Sequence, residues 1–315
     1  MEDVILQVED LKKYHPAAGG AVKAVDGISF SIQQGTTMAL VGESGCGKST
    51  TGRAVLRLGG GITGGRVLFR GQDIYKLSGR QLRQLRPKMQ IVFQDPFSSL
   101  SPRLPVGEIL SEAVRVHRLV PKPEIDGYID GIMESCGLRP FHKNRYPHEF
   151  SGGQRQRICI ARALAMQPDF IVCDEAVSAL DVSVQAQIIN LLQQLQQTRG
   201  LSYLFISHDL AVVSHIAHTV GVMYLGKLVE FGTTEQIYDD PLHPYTRALL
   251  AAIPLPDPAK RQSRQVPEGA AVSPVRPVSG CPFHTRCPLA MERCEKDEPQ
   301  WREIKPGHFC ACHAL

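Results

Sequence analysis

Residues Gly42-Glu43-Ser44-Gly45-Cys46-Gly47-Lys48-Ser49 follow the spacing G-x-x-x-x-G-K-S, with Thr50 directly after. These residue types in this order bind phosphate. Glycines let the backbone curl until several N–H groups converge on one anion. A helix opening at Lys48 adds roughly half a positive charge from its aligned peptide dipoles. Lys48 can then reach the β and γ phosphates of a nucleoside triphosphate, and the Ser49 hydroxyl can ligate Mg²⁺. Cys46, inside the loop, reads as a packing thiol. A second constellation, Asp174-Glu175, ends the apolar run Phe170–Cys173. An isolated Asp-Glu pair is usually a solvated one. Downstream of a phosphate loop, it reads as Asp174 holding Mg²⁺ and Glu175 acting as general base toward the attacking water.

The elements that must position these groups follow from apolar periodicity. Thr37–Val41 reads as a buried strand feeding the glycine loop, and Lys48–Leu58 as the helix after it. Phe170–Cys173 and Tyr203–Ser207 read as two further buried strands, the latter followed by His208. Val184, Ile188, Leu191, Leu192 and Leu195 recur at helical spacing, so 183–197 is expected to be an amphipathic helix with these residues in the core. The stretch from Pro96 to His148 lacks a strand signal and reads as an inserted helical subdomain. Residues 1–240 therefore predict an α/β fold with a mainly parallel sheet, the helical subdomain covering about 96–158. From residue 241 the composition changes. Pro241, Pro244, Pro254, Pro256, Pro258, Pro267, Pro274 and Pro277 preclude a long helix or central strand. Residues 241–315 read as a short helix (Tyr245–Ala252), a linker and a small Cys-rich module.

Composition narrows the partners. A net charge of +4 over 315 residues gives no case for a nucleic-acid partner. The densest basic cluster, Arg80, Arg83, Arg86 and Lys88, reads as a solvated helix face. No apolar run approaches the ~18–20 residues needed to span a bilayer. The opening MEDVILQVED lacks the basic-then-apolar order of a secretory leader, so a cytoplasmic location is expected. Of nine cysteines, Cys281, Cys287, Cys294, Cys310 and Cys312 crowd the last 35 residues, which in a reducing compartment reads as metal binding before disulfide.

Beyond the phosphate loop, the sequence resembles the ATPase subunits of ABC transporters over most of its length. Phe150-Ser151-Gly152-Gly153-Gln154 resembles the family signature, with Phe150 where Leu is usual, and a helix Arg155–Met166 is expected after it. The resemblance implies that Ser151, Gly152, Gly153 and Gln154 bind the γ-phosphate held by another subunit. Ser178-Ala179-Leu180-Asp181 resembles the loop that meets the opposite subunit. Gln94, after a strand Gln90–Phe93, resembles the glutamine that senses Mg²⁺ and water and links to the membrane subunits. His208 resembles the switch histidine at the γ-phosphate, and Tyr14 the aromatic that stacks on adenine. One departure is Ala176, where the family has Pro. Proline fixes φ, so a looser turn under Glu175 and slower hydrolysis are expected.

The resemblance also implies an assembly. ATP is expected between Gly42–Thr50 of one chain and Ser151–Gln154 of a second, homologous ATPase subunit. Leu242-His243-Pro244-Tyr245-Thr246, Ala248-Leu249-Leu250 and Gly280-Cys281-Pro282-Phe283-His284-Thr285-Arg286-Cys287-Pro288 resemble the oligopeptide/dipeptide importer type. That implies two integral-membrane permeases, an extracytoplasmic solute-binding protein and a peripheral site on the cytoplasmic membrane face. Four thiolates suit an iron–sulfur cluster or tetrahedral zinc. Relatives of this type imply a [4Fe–4S] cluster on Cys281, Cys287, Cys294 and Cys312, with Cys310 a rival fourth ligand. His284, His308 and His313 read as surface histidines. The rival functional classes are an ABC ATPase uncoupled from any permease and an iron–sulfur redox protein. The first lacks the expected coiled coils or duplicated ATPase units, and the second leaves the phosphate-loop machinery unexplained.

Overall fold

The computed structural model describes residues 3–17, 20–253 and 278–315. Strands β1 (Val4–Ala17) and β2 (Gly20–Gln33) lead into the fully buried β3 (Thr37–Val41), the phosphate loop and helix α1 (Lys48–Val55). Strands β4 (Gly64–Phe69) and β5 (Gln72–Asp73), helix α2 (Gly79–Leu85) and strand β6 (Met89–Val92) follow. Helices α3 (Pro96–Ser99), α4 (Val106–His117), α5 (Ile125–Ser135) and α6 (Gly152–Leu164) come next. Then β7 (Phe170–Asp174), α7 (Val182–Arg199), β8 (Ser202–Ser207), α8 (Leu210–Ile216), β9 (Thr219–Tyr224), β10 (Lys227–Thr233), α9 (Thr234–Asp239) and α10 (Pro244–Ala251) alternate. The described part of the tail adds α11 (Glu292–Lys296), β11 (Arg302–Lys305) and β12 (His308–Cys310). Pro254, Pro256, Pro258, Pro267, Pro274 and Pro277, read as linker, lie outside the described residues.

The chain divides into two compact units. One is dominated by Lys76–Ile206; the other comprises Leu6–Ser31, Thr37–Tyr75 and Ser207–Leu315. In the first, β6, β7 and β8 run parallel, with Val92 opposite Cys173 and Asp174 opposite Ile206. Both β7 and β8 are buried along their length, the pattern of parallel strands covered on two faces. The helices between β6 and β7 pack through Ile109, Leu110, Val114, Ile129, Ile132, Met133 and Ile158. In the second unit, β3 runs parallel to β9, and β9, β10, β12 and β11 continue antiparallel from it. A separate antiparallel layer takes the order β2-β1-β4-β5.

Several boundaries depart from expectation for local reasons. Helix α1 stops at Val55 rather than Leu58. Leu58 N–H donates to the Arg53 carbonyl and Arg57 N–H to Ala54, with Arg57 in the left-handed region at φ 51°, a Schellman stop built without glycine. Helix α6 begins at Gly152, because Ser151 and Gln154 form a reciprocal capping box. Helix α7 runs longer than 183–197, and its Val184 is half-buried rather than core. The basic cluster bears out the solvated reading at Arg80 and Arg83, both exposed on α2. The described part of the tail joins the sheet: β12 pairs with β10, Glu230 opposite Cys310, and Phe309 packs between Phe231 and Trp301.

Candidate functional site

The phosphate loop is shaped by close backbone approach. Gly42 and Gly47 take φ 149° and 106°; a Cβ on the first would lie 2.2 Å from the Met223 carbonyl oxygen, and on the second 2.0 Å from that of Ala24. Only glycine fits either place. Lys48 is 4% exposed, and its ammonium donates to the carbonyls of Gly42 (2.7 Å) and Glu43 (2.8 Å). Helix α1 has no side-chain cap at its start, so its first amides are not taken up by an N-cap side chain. Ser49 and Thr50 occupy the first turn, half-buried, and Ser44 and Gly45 are exposed. Cys46 is buried, which raises its thiol pKa and fits the packing reading. Tyr14 lies in strand β1, not in a loop. Its hydroxyl donates to Asp26, and the Lys23 ammonium lies 5.6 Å from the centre of its ring. His208 is exposed directly after β8, and Asp209 caps α8 by accepting from the Ala211 and Val212 amides.

The other unit gathers the acid–base groups. Asp174, 4% exposed, is the last residue of β7. Glu175 follows at φ 50°, an unusual conformation for a residue with a side chain and of the kind stored at functional sites. Its amide donates to the Ile206 carbonyl (3.0 Å), and its carbonyl accepts from the Ser178 amide (3.1 Å) and hydroxyl (3.0 Å). The Gln94 side-chain amide donates to the Glu175 carboxylate at 2.9 Å and lies 3.4 Å from the Ser178 hydroxyl. Ser151 and Gly152 are exposed at the start of α6, and Phe150 is buried, as an apolar replacement for Leu requires. Gly153 is closely covered: a Cβ there would lie 2.5 Å from Val184 Cγ1. Asp181 is exposed at the start of α7. Thus Gln94, Glu175 and Ser178 come together, while Lys48, Tyr14 and His208 belong to the other unit.

The cysteine-rich tail meets its expectation only in part. Cys281, Cys287, Cys294 and Cys312 lie within electrostatic range of one another, and burial pushes the Cys281 thiol up to about 11. Cys310 is buried in β12, within electrostatic range of Glu230 and Cys312. Among the described residues, however, no three His, Cys, Asp or Glu side chains are placed to hold a metal ion. The surface reading of His308 is wrong. It is 0% exposed, with its ring Nε2 2.8 Å from the Glu230 carboxylate, which also accepts from the Leu242 and His243 amides. Sequence reasoning also passed over Tyr245 and Arg286, which both contact Glu43 of the phosphate loop. No local pattern marks a contact with Glu43 for either; Tyr245 was read only as the start of a short helix in a family-like segment, and Arg286 only as part of another.

Comparison with known proteins decides the family. The ABC transporter family profile matches residues 25–178, and the profile for the oligopeptide/dipeptide transporter C-terminal region matches residues 229–294. A peptide import ATP-binding protein of Brucella ovis is 52% identical over 313 residues, covering 99% of this chain and 98% of that protein. The chain belongs to the ATP-binding subunits of ABC transporters. The oligopeptide transport ATP-binding protein AppF of Bacillus subtilis is 50% identical, covering 99% of this chain and 98% of its own. Among solved structures, cbiO1 of the Clostridium perfringens cbiONQ transporter complex aligns with TM-score 0.67 and 30% identity, over 76% of this chain and 92% of that one. The dimeric MJ0796 cassette aligns with TM-score 0.66 at 24% identity, over 73% of this chain and 98% of that one, which speaks to fold alone. The reaction of this ABC ATPase is hydrolysis of ATP. Among the described residues, no helix is long and apolar enough to cross a membrane.

Proposed function

We propose that this chain is the ATP-hydrolysing subunit of a multi-subunit ABC importer for peptides or similar small solutes. It works at the cytoplasmic membrane face with a second ATPase subunit, two permeases and a solute-binding protein. One observation carries this reading: a single chain holds both a closed phosphate nest and an exposed, glycine-started helix at Ser151–Gln154. The first binds a nucleotide; the second supplies donors for another chain's nucleotide. Lys48 neutralises phosphate charge, and Tyr14 is the adenine contact. Glu175 accepts a proton from the attacking water, and Gln94, bonded to its carboxylate, orients it. His208 meets the γ-phosphate, and Asp181 faces the partner. The donor types of Ser49, Gln94 and Asp174, hydroxyl, amide oxygen and carboxylate, suit Mg²⁺, which offsets charge on the β and γ phosphates. The matched oligopeptide/dipeptide region favours an importer over an ABC ATPase uncoupled from a permease.

The test is a trapped complex. Glu175→Gln should retain ATP binding and accumulate a closed ATP-bound pair, seen as a shift to twice the subunit mass on size exclusion. An identical elution with and without Mg-ATP, in the presence of the partner subunit, would sink the proposal. The same proposal extends to a [4Fe–4S] cluster on Cys281, Cys287, Cys294 and Cys312 as a structural staple, zinc being the alternative. Its support is that the four thiols lie within electrostatic range of one another. As placed they do not form a ligand set, so no step of hydrolysis passes through it. Iron and sulfide analysis of anaerobically purified protein decides: stoichiometric iron lost on Cys287→Ser supports the cluster, and colourless protein with zinc ends it.

A further inference from the structure

The phosphate loop is held from outside the motif. Glu43 is gripped at three points. Its amide donates to the Tyr245 hydroxyl oxygen at 2.8 Å, its carbonyl accepts from Lys48, and its carboxylate takes both ends of the Arg286 guanidinium at 3.0 Å each. This is the bidentate geometry in which arginine pairs most strongly with a carboxylate. The Arg286 side chain is only 11% exposed and lies within electrostatic reach of the Tyr224 hydroxyl. Behind the pair, Phe283 packs against Tyr224 and Tyr245, ring centres 5.3 Å away in each case. Gly280, at φ 70°, lets the tail chain pass so close to Cys294 that the Cys281 amide reaches its carbonyl at 2.8 Å. Arg286 is thus presented by a packed platform.

We infer that Arg286 and Tyr245 are positioning residues for ATP, through which the C-terminal tail sets the charge and shape of the phosphate loop. The inference rests on the ATP-site reading above and deepens it. A phosphate site carrying an acidic residue at its second position opposes its own ligand, since like charges repel within a few ångströms. The guanidinium cancels that charge. The Tyr245 oxygen meanwhile fixes the amide of Glu43, whose carbonyl anchors Lys48. A loop held in its binding shape loses no affinity to competing conformers.

Binding of a fluorescent ribose-labelled ATP analogue with Mg²⁺ to the full chain tests this. Wild type should bind and Lys48→Ala should not. Arg286→Ala should weaken binding roughly tenfold, and Arg286→Lys by less. Adding Glu43→Gln to Arg286→Ala should recover most of the loss, because it removes the uncompensated charge; a purely structural role for Arg286 predicts no recovery. Arg286→Gln, which keeps most of the stem's packing, guards against simple loss of fold. Tyr245→Phe should weaken binding about threefold by leaving the Glu43 amide without its acceptor. Unchanged affinity in Arg286→Ala, or a loss that Glu43→Gln does not relieve, overturns the inference while leaving the ATP site intact. Failure of wild type to bind overturns the ATP-site reading itself, and this inference with it.

Discussion

The phosphate loop and the Ser151 segment use the same device, glycines at the start of a helix, and differ in what holds them. In the loop, two glycines sit against backbone carbonyls, Lys48 folds onto the chain, and Tyr245 and Arg286 fasten Glu43. At the Ser151 segment the cap satisfies itself through Gln154, the first residues are exposed, and the Val184 side chain presses on Gly153. The first site is finished within one chain. The second is an exposed surface, which the proposal above assigns to a nucleotide held by another subunit. The difference predicts that damage to the loop destroys binding, whereas damage to the segment destroys only pairing.

The largest effect should come from closing the nest. Gly47→Ala puts a Cβ 2.0 Å from the Ala24 carbonyl oxygen, a rigid backbone atom, at a φ of 106°. Strain of this kind costs on the order of 1–3 kcal/mol before the clash is counted. Nucleotide binding should fall at least ~100-fold, by about 2.7 kcal/mol or more. Gly45→Ala is the control: its φ is 80°, but nothing lies within 4 Å of the added carbon. It should cost only the left-handed penalty, about 1–2 kcal/mol. Equal losses in the two variants, measured by nucleotide titration, would break the claim that close approach shapes the loop.

A smaller and more selective effect is expected at Gly153. An added Cβ meets Val184 Cγ1 at 2.5 Å, the end of a half-buried side chain that can shift. Gly153→Ala should fold and bind ATP as wild type does, but lower ATP-dependent pairing with the partner subunit by roughly tenfold, or about 1.4 kcal/mol. Val184→Ala in the same chain should restore pairing. If Gly153→Ala weakened ATP binding by the isolated chain, the division between finished site and open surface would fail.

How much of this was legible in the sequence depended on range. The loop lies within eight consecutive residues, so its spacing exposed it; Asp174-Glu175 gained meaning from that loop, and Ser151–Gln154 from family resemblance. Gln94 and Glu175 lie 81 residues apart, and only family resemblance brought them into one account. Arg286 and Glu43, 243 residues apart, had no such help. His308 was misread because a polar residue in a short polar tail looks solvated. Its burial depends on Glu230, which becomes a partner only when β12 joins β10. Tyr14 lies in β1, whose pairing with β4 reaches Lys12, and no local pattern marks that strand's extent. Local chemistry was readable; contacts made by sheet extension were not.

The smallest effect concerns the turn that joins the two halves of the Ser151 side of the comparison. Glu175 to Ser178 forms a turn closed by the Ser178 amide on the Glu175 carbonyl, and Ala176 is its second residue, 2% exposed. Proline suits that position because its ring sets φ near −65° in advance. The turn continues into Leu180, which lies 3.6 Å from where a Cβ on Gly152 would sit. Ala176→Pro should therefore stabilise the chain by about 0.4–1 kcal/mol through the unfolded state. It should also steady Glu175 and raise ATP hydrolysis in the assembled pair about twofold, or roughly 0.4 kcal/mol of barrier. Nucleotide affinity should stay at the wild-type value, since the phosphate loop is fastened elsewhere. A hydrolysis rate unchanged by Ala176→Pro would show that the hydrogen bonds of Glu175 already hold the base, and that Ala176 costs this ATPase nothing.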